Sequence, residues 1–214
     1  MPFPKSQIED HYQSIQETLK KYSNAKLVAV SKKQNLEKLK ILYDCGHRLF
    51  GENYLQEWQD KKSTLSDDIE WHFIGSLQSR KVKSLILDGI SCIHSLGSES
   101  CLKKYAQSEQ KPPFGAFIQV NIAGEEQKAG LSPEAVRQYC NEDNLTFING
   151  LMTMPPAGLE EKELRFHFKT LKSLAEELNL KEVSMGMSSD WKIALEEGAT
   201  LIRIGSSLFG PRDY

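Results

Sequence analysis

The chain has 214 residues, of which 39% are hydrophobic and 26% charged, with a formal net charge of −2. This composition is that of an ordinary globular domain and excludes a disordered, collagen-like or membrane-spanning chain. The nearly balanced charge provides no basic footprint, so neither nucleic acid nor a membrane is expected as a partner. The length allows one large domain or two small ones.

The first element in chain order is an amphipathic helix over about 7–22. Its apolar stripe consists of Ile8, Tyr12, Ile15 and Leu19. After it, eight short apolar runs alternate with segments that carry helical signals. The runs are 26–32, 48–53, 69–75, 92–96, 114–121, 146–154, 182–187 and 200–206.

This alternation predicts a parallel sheet, because parallel strands need helical crossovers between them. Eight units without a dividing linker favour an α/β fold with a single (β/α)₈ TIM barrel and an extra N-terminal helix. The domain is expected to cover 1–214, with 1–25 packed on the barrel. A doubly wound open sheet is the alternative.

Capping signals place helices between the strands. Asn35 is expected to cap the helix after the first strand, and Ser98 the helix after the fourth. Ser132 followed by Pro133 marks a further helix start. Ser188 is expected to cap the helix after the seventh strand.

Four cysteines lie in or beside apolar runs, namely Cys45, Cys92, Cys101 and Cys140. No pair has Cys-x-x-C spacing, and no histidine pair near them has metal-ligand spacing. We therefore expect neither a disulfide framework nor a metal site. The first residues lack the apolar segment of a secretory signal, so a reduced, cytoplasmic protein is expected.

Polar residues follow the predicted strands at the end where barrels carry their active sites. Lys32 closes an otherwise apolar strand, and because side chains alternate, only one of Lys32 and Lys33 can point inward. A desolvated lysine has a lowered pKa and attacks carbonyl carbons as a nucleophile. The solvated start of a loop is the other interpretation of this pair.

Glycines and serines follow the seventh and eighth strands and lead into helix N-termini. Those loops often bind phosphate in barrels, although the serines can also be simple caps. Arg203 lies inside the eighth strand, where it needs a buried acid or a ligand atom. A reactive lysine, a phosphate site and this arginine together match pyridoxal 5′-phosphate (PLP). A Schiff-base aldolase acting on a sugar phosphate explains the arginine less well.

Several motifs, in this order, resemble those of the pyridoxal phosphate homeostasis proteins. They are Ala29-Val30-Ser31-Lys32, Phe50-Gly51-Glu52-Asn53-Tyr54, Trp71-His72-Phe73-Ile74-Gly75, Ser184-Met185-Gly186-Met187-Ser188 and Arg203-Ile204-Gly205. The resemblance extends over about 26–214. It implies the barrel fold of the N-terminal domain of alanine racemase and a role in intracellular PLP homeostasis.

The resemblance also implies how the matching residues bind the cofactor. Lys32 would form the internal aldimine, and Arg203 would face the pyridine nitrogen. The phosphate would be held by Ser188, Gly205 and Ser206, and the site completed by Asn53, Ile74, Ser184 and Met187. A further family motif is matched, without an assigned role, by Glu126, Lys128 and Gly130.

Robust catalysis is not expected. An arginine beside the pyridine nitrogen disfavours its protonation and weakens the ring as an electron sink. A racemase also needs an acid/base group on each face of its substrate. Lys32 can serve one face, but Tyr54, Tyr214 and His72 are imperfect candidates for the other, and His72 is more simply explained as a satisfied core histidine.

The expected function is therefore PLP binding and homeostasis, with PLP-requiring apo-enzymes as candidate recipients. The sequence stops shortly after the eighth unit, so we expect no second domain like that of alanine racemase. Without that dimer-forming domain, we expect a monomer. A minimal PLP-dependent amino-acid racemase is the alternative function.

Overall fold

Eight parallel strands close into a barrel in which each strand pairs with its neighbours in chain order and β1 also pairs with β8. This computed structural model describes residues 4–22, 24–125, 127–141 and 148–210. The strands are β1 Lys26–Val30, β2 Leu49–Glu52, β3 Glu70–Phe73, β4 Cys92–Leu96, β5 Ala116–Gln119, β6 Ile148–Met152, β7 Glu182–Ser184 and β8 Leu201–Ile204. The helices are α1 Lys5–Leu19, α2 Leu36–Asp44, α3 Leu55–Thr64, α4 Ser79–Leu87, α5 Glu99–Ala106, α6 Pro133–Asn141, α7 Glu161–Glu177, α8 Trp191–Glu196 and α9 Ser206–Phe209.

Each strand lies within one of the eight predicted runs, so the predicted (β/α)₈ barrel is confirmed and the open sheet is excluded. Most strands are shorter than predicted, and only β4 has the predicted bounds. The predicted start of the sixth run, 146–147, lies outside the described residues. At the carboxyl end of β1, the ladder stops after Ser31 N donates to Gly51 O, and a turn follows. The runs that are shortened at their carboxyl ends contribute those residues to the loops at the barrel mouth, and four runs also lose residues at their amino ends.

The interior of the barrel combines an apolar layer with buried polar groups. The apolar layer consists of Val28, Leu49, Cys92, Phe117, Met152 and Leu201. Side chains on alternate positions of the strands face the helices and form the larger hydrophobic cluster with them. Five buried polar side chains also lie on the interior face, namely His72, His94, Gln119, Ser184 and Arg203. The barrel therefore has a polar interior toward its carboxyl end.

Three of the predicted helix starts are confirmed. Asn35 Oδ1 accepts from Lys38 N, and Ser98 Oγ accepts from Cys101 N. Ser132 Oγ accepts from Ala135 N at the start of α6.

The predicted cap at Ser188 is wrong, because α8 starts after Asp190. The Asp190 carboxylate folds back and accepts from Met187 N at 2.5 Å, which closes the loop ahead of the helix. Ser188 Oγ instead accepts from Gly205 N and Ser207 N. The hydroxyl thus joins the loop after β7 to the loop after β8.

The first helix packs against α2 and α9. It spans Lys5–Leu19, and its predicted apolar stripe is buried. The ring of Tyr12 meets the edge of His47, whose Nε2 lies 2.7 Å from Leu49 O. None of the described helices is both long and apolar enough to cross a membrane.

Substitution of Gly150 tests the close approach of β6 and β7. A methyl group at Gly150 would overlap the carbonyl oxygen of Glu182 on the neighbouring strand. We expect Gly150→Ala to lower the free energy of unfolding by about 2 kcal/mol, measured by urea denaturation. The adjacent exposed Asn149→Ala, which removes one hydrogen bond to Phe114 O, should cost less than about 1 kcal/mol. Equal losses would show that the two backbones are not tightly apposed.

Candidate functional site

Most of the predicted site residues lie in loops at the carboxyl ends of the strands. The exceptions are Ser184, the last residue of β7, Arg203, within β8, and Ser206, the first residue of α9. Those in loops are Lys32 after β1, Asn53 after β2, Ile74 after β3, Met187 and Ser188 after β7, and Gly205 after β8. The closed barrel therefore brings these residues to the same end of the molecule.

Lys32 and Lys33 form a turn after β1, and their burial differs. Lys32 is half-buried and Lys33 is exposed, with a positive φ of 56°. Lys33 N donates to Glu57 Oε1 on α3. Lys32 is therefore the less exposed member of the pair.

A buried ion pair behind β1 fixes the residue before Lys32. Lys61 Nζ on α3 donates to Ser31 O at 2.6 Å and to Glu52 Oε1 at 2.7 Å. Ser31 Oγ donates to the same Glu52 oxygen at 2.6 Å. Burial raises the pKa of Glu52, against the opposing effect of the Lys61 ammonium. The backbone on both sides of Lys32 is thus tied to α3 by hydrogen bonds that involve charged groups.

Sequence reasoning did not predict this ion pair. One signal was available, since Glu57 and Lys61 are four residues apart on a helix, and their side chains do pair at 2.7 Å. The position of Glu52 at the end of an apolar strand did not reveal that its carboxylate faces α3.

Removing the Lys61 ammonium should leave the buried carboxylate of Glu52 without its cationic partner. We expect Lys61→Met to lower the free energy of unfolding by about 3 kcal/mol, measured by urea denaturation at neutral pH. Lys62→Met, which changes the next and more exposed residue of α3, should cost less than about 0.5 kcal/mol. The double variant Lys61→Met/Glu52→Gln should recover part of the loss. If the two single variants were equally stable, the ion pair would not anchor the turn.

Arg203 is buried on β8 and has no carboxylate partner among the described residues. Its Nη1 donates to Ser184 Oγ at 2.7 Å, and its Nη2 donates to Thr153 O at 2.8 Å. Burial lowers the pKa of Arg203 to about 10, with Asp190 acting in the opposite direction. The sequence allowed either a buried acid or a ligand atom as the partner of Arg203, and the described residues provide no buried acid. The guanidinium is instead held by neutral oxygens.

A pair of buried histidines continues this arrangement across the barrel. His94 Nδ1 lies 2.9 Å from Ser184 Oγ, and His94 Nε2 lies 2.8 Å from His72 Nδ1. His72 is therefore a core histidine with a hydrogen-bond partner at Nδ1, as expected, whereas its Nε2 is buried without one. Sequence reasoning missed His94 and the contact of Ser184 with it.

The same region contains a cluster of potential metal ligands. Ligating atoms of His72, Cys92 and His94 lie within 4.8 Å of one another. The sequence spacing did not reveal this cluster, because its residues come from two strands, β3 and β4. Both ring nitrogens of His94 already contact His72 and Ser184, so the hydrogen bonds account for this side chain without a metal ion.

The loops after β7 and β8 are joined through Ser188. Its Oγ accepts from Gly205 N at 3.3 Å and from Ser207 N at 3.4 Å. A Cβ at Gly205 would lie 3.3 Å from Val30 O, which leaves little space for a side chain there. Ser206 is exposed, and Met187 has a relative exposure of 36%. Backbone and hydroxyl groups therefore converge where phosphate binding was predicted.

Two further predicted residues line the opposite part of the barrel mouth. Asn53 Oδ1 is buried without a hydrogen-bond partner among the described residues. Gly75 lies against the Asn53 backbone so closely that a Cβ would overlap it. Ile74 is buried, and a Cβ added at Gly51 would lie 3.1 Å from its Cδ1. An orphaned acceptor in this position indicates that a donor is supplied by a ligand or by water.

A cavity of about 260 Å³ opens beside this end of the barrel, next to the ends of β3, β5 and β6. It is lined by Ser76, Gln119, Lys128, Ala129, Met154 and Pro155. Lys128 pairs with Glu125 at 2.6 Å. Glu126 and Tyr214 lie outside the described residues. A larger groove of about 980 Å³ lies elsewhere, between α2 and α3, and the half-exposed Tyr54 lines that groove.

The closed barrel, with a half-buried lysine after β1 and a polar interior, belongs to the class of alanine racemase-like barrels. Alanine racemase from Bartonella henselae has the same fold, with a TM-score of 0.78 at 15% identity over 100% of this chain and 65% of that chain. PipY of Synechococcus elongatus is more similar, with 33% identity over 95% of this chain and 100% of that one. It has been solved without PLP and with PLP bound, with TM-scores of 0.86 and 0.83.

Two curated relatives are more similar in sequence. The pyridoxal phosphate homeostasis protein of Aquifex aeolicus is 41% identical over 206 residues, covering 89% of this chain and 88% of the relative. That of Schizosaccharomyces pombe is 38% identical over 203 residues, covering 88% and 85%. No family model matches the chain. These relatives show that the chain belongs to the pyridoxal phosphate homeostasis protein family.

Proposed function

We propose that this chain binds PLP at the mouth of its barrel and thereby limits the concentration of free PLP in the cell. Two features at the same end of the barrel carry the proposal. Lys32 is half-buried after β1, and Arg203 is a buried cation without an acid partner among the described residues. A buried charge with only neutral partners is costly, and a ligand that accepts its hydrogen bonds offsets that cost. The PLP-bound form of PipY supports this choice of ligand.

Each part of the barrel mouth matches one part of PLP. When bound, PLP supplies an aldehyde that reacts with amines and a ring that withdraws electrons. Lys32 would hold the cofactor covalently through its amine, which can condense with an aldehyde with loss of water. Arg203 directs N–H groups at the ring nitrogen. The phosphate is held by Ser188, Gly205 and Ser206, and the walls are completed by Asn53, Ile74 and Met187.

The unpartnered atom of Asn53 fits this assignment. Its buried Oδ1 needs a donor, and its amide can contact a polar substituent of the ring. Ser184 is expected to bind the cofactor, and its hydroxyl is engaged by Arg203 and His94. We therefore place Ser184 behind Arg203 and propose that it acts on the cofactor through that side chain.

The geometry favours a carrier over a catalyst. Strong electron withdrawal by the ring needs a protonated ring nitrogen. The positive charge of Arg203 disfavours that protonation. A racemase needs a second acid/base group opposite Lys32, and the two described candidates are poorly placed. His72 is buried and its pKa is lowered to about 3, and Tyr54 lines the groove between α2 and α3. We infer that the protein carries PLP and passes it to PLP-requiring apo-enzymes.

A location in the cytoplasm forms part of the same proposal. All four cysteines are free, and three of them are buried. Free thiols are typical of proteins in a reducing compartment. We also propose a monomer, which size-exclusion chromatography with light scattering would test.

Loading the protein with PLP and measuring its visible absorption tests the proposed binding. The purified protein is dialysed against PLP, passed over a desalting column and scanned for visible absorption. We expect a yellow protein with one PLP per chain. A protein that stays colourless at PLP concentrations that saturate a known PLP-binding protein would contradict the proposal and leave the barrel mouth to another ligand.

Solvent deuterium exchange distinguishes the carrier from a minimal racemase. The PLP-loaded protein is incubated with L-amino acids in D₂O, and the α-hydrogen is followed by NMR. A carrier should show no exchange above that of free PLP at the same concentration. Exchange accompanied by loss of optical rotation would establish the racemase instead.

A further inference from the structure

A chain of four buried polar side chains crosses the barrel below the mouth. It runs from Arg203 Nη1 to Ser184 Oγ at 2.7 Å, from Ser184 Oγ to His94 Nδ1 at 2.9 Å, and from His94 Nε2 to His72 Nδ1 at 2.8 Å. All four residues are at most 3% exposed. Buried polar groups of this kind are costly unless each one is hydrogen-bonded, so the chain needs an explanation.

The hydrogen atoms of this chain can be assigned by counting donors and acceptors. A guanidinium only donates, so Ser184 Oγ accepts from Arg203 and its own hydrogen remains available for His94 Nδ1. His94 then carries its proton on Nε2 and donates to His72 Nδ1. The reverse direction would make His94 donate to Ser184 Oγ and leave the serine hydrogen without an acceptor among the described residues.

At the far end of the chain, this direction requires an acceptor for a hydrogen on His72. His72 then carries its proton on Nε2, the atom that has no partner in the described structure. His72 also lines a cavity of about 70 Å³ at the amino ends of the strands, next to Glu70 and Cys92. A cavity of this size can hold water, which would accept the last hydrogen.

Both imidazoles are neutral, as this arrangement requires. Burial lowers the pKa of His72 to about 3, with Lys26 adding to the effect. Burial also lowers the pKa of His94 well below its ordinary value, followed by the effects of His72 and Arg203. A second positive charge beside Arg203 is thereby avoided.

We propose that His94, supported by His72, is a positioning residue that acts through Ser184 to fix the guanidinium of Arg203 for the ring nitrogen of PLP. This inference rests on the proposed function. With Ser184 oriented by His94 on one side and Thr153 O accepting on the other, Arg203 is held at two nitrogens. Since the side chain has five N–H donors, donors remain for the ligand. The histidine pair thus prepares the cofactor site before the cofactor arrives.

Variants in pairs test this role on the full-length protein. His94→Phe keeps the ring shape beside Phe117 but removes both hydrogen bonds, and His94→Gln keeps a donor and an acceptor. Ser184→Ala and Ser184→Thr form a second pair, which keeps the test decisive should one variant not fold. The control is Ser95→Ala, on the same strand as His94, which removes a buried hydroxyl that has no hydrogen-bond partner in the described part of the chain.

Three measurements are made on each folded variant. Nitrogen-15 NMR of the unliganded protein should show both histidines as neutral Nε2–H tautomers, and Ser184→Ala should alter the His94 signal. The dissociation constant for PLP should rise about tenfold in His94→Phe and Ser184→Ala, and by less than about threefold in the Gln and Thr variants and in the control. The absorption maximum of bound PLP should shift only in the two tenfold variants.

The outcomes separate this inference from the proposal on which it depends. Failure of the unchanged protein to bind PLP would overturn the proposed function. Normal binding and an unshifted spectrum in His94→Phe and Ser184→Ala, together with tight binding by the unchanged protein, would overturn the positioning role alone. An Nδ1–H tautomer at His94 would also overturn it, because the chain would then run in the opposite direction.

Discussion

Replacing Lys32 with alanine should abolish covalent retention of PLP, whereas Lys33→Ala should leave it intact. Lys32 is the half-buried member of the pair, and the residue before it is held by Lys61 through Ser31 O. Lys33 has a positive φ and an exposed side chain, and its backbone N–H donates to Glu57. Because only an amine can form the covalent link to the aldehyde, the effect at Lys32 should be complete rather than graded.

The measurement is the visible absorption of each variant after PLP loading and desalting. Lys32→Ala should elute colourless and still bind PLP weakly and reversibly through the phosphate and ring contacts. Circular dichroism confirms that both variants are folded. A colourless Lys33→Ala protein beside a yellow Lys32→Ala protein would reverse the assignment of the two lysines.

Acid should destabilise the protein progressively as the pH falls below 6.5. The ordinary histidine pKa is 6.5, and burial lowers the pKa of His47 to about 4 and that of His72 to about 3. The unfolded chain therefore binds protons first as the pH falls below 6.5, and stability decreases until the folded-state values are reached. The decrease should reach about 3 kcal/mol for His47 and about 5 kcal/mol for His72. Together these rival the whole stability of a typical domain.

Urea denaturation between pH 7.5 and pH 4 measures this dependence. His47→Phe should keep the ring contacts with Tyr12 and Phe50, cost about 1 kcal/mol at pH 7.5 and flatten the decline toward acid. At pH 4.5 the variant should be at least as stable as the unchanged protein. A decline of the same slope in both proteins would show that His47 does not titrate on unfolding.

The sequence predicted the barrel well because its evidence is local and repeated. Each strand is a short apolar run between turn and cap signals, as at Asn35 and Ser98, and eight such units leave few other architectures. Strand ends were less accurate, because the pattern cannot show where ladder pairing stops. At Ser188 the cap was predicted from residue type alone, whereas the nearer carboxylate of Asp190 closes the loop.

The contacts between strands could not be predicted in the same way. That Lys32, Asn53 and Ser188 lie at one end followed from the topology, but the partner of Arg203 depended on which side chains meet inside the barrel. His94 lies in an apolar run, and its sequence context does not indicate a role in a hydrogen-bond network. The resemblance implies that Ser184 contacts the cofactor directly. Only the closed geometry shows that Arg203, Ser184 and His94 form one hydrogen-bonded chain.

Borohydride reduction followed by peptide mass mapping tests the central claim most directly. The full-length protein is loaded with PLP, reduced, digested and searched for a phosphopyridoxyl group. The account predicts a single modified site at Lys32, one group per chain, and no modification when PLP is omitted. Modification spread over several exposed lysines with Lys32 unmodified would contradict it, because the barrel mouth would then not be where PLP is held.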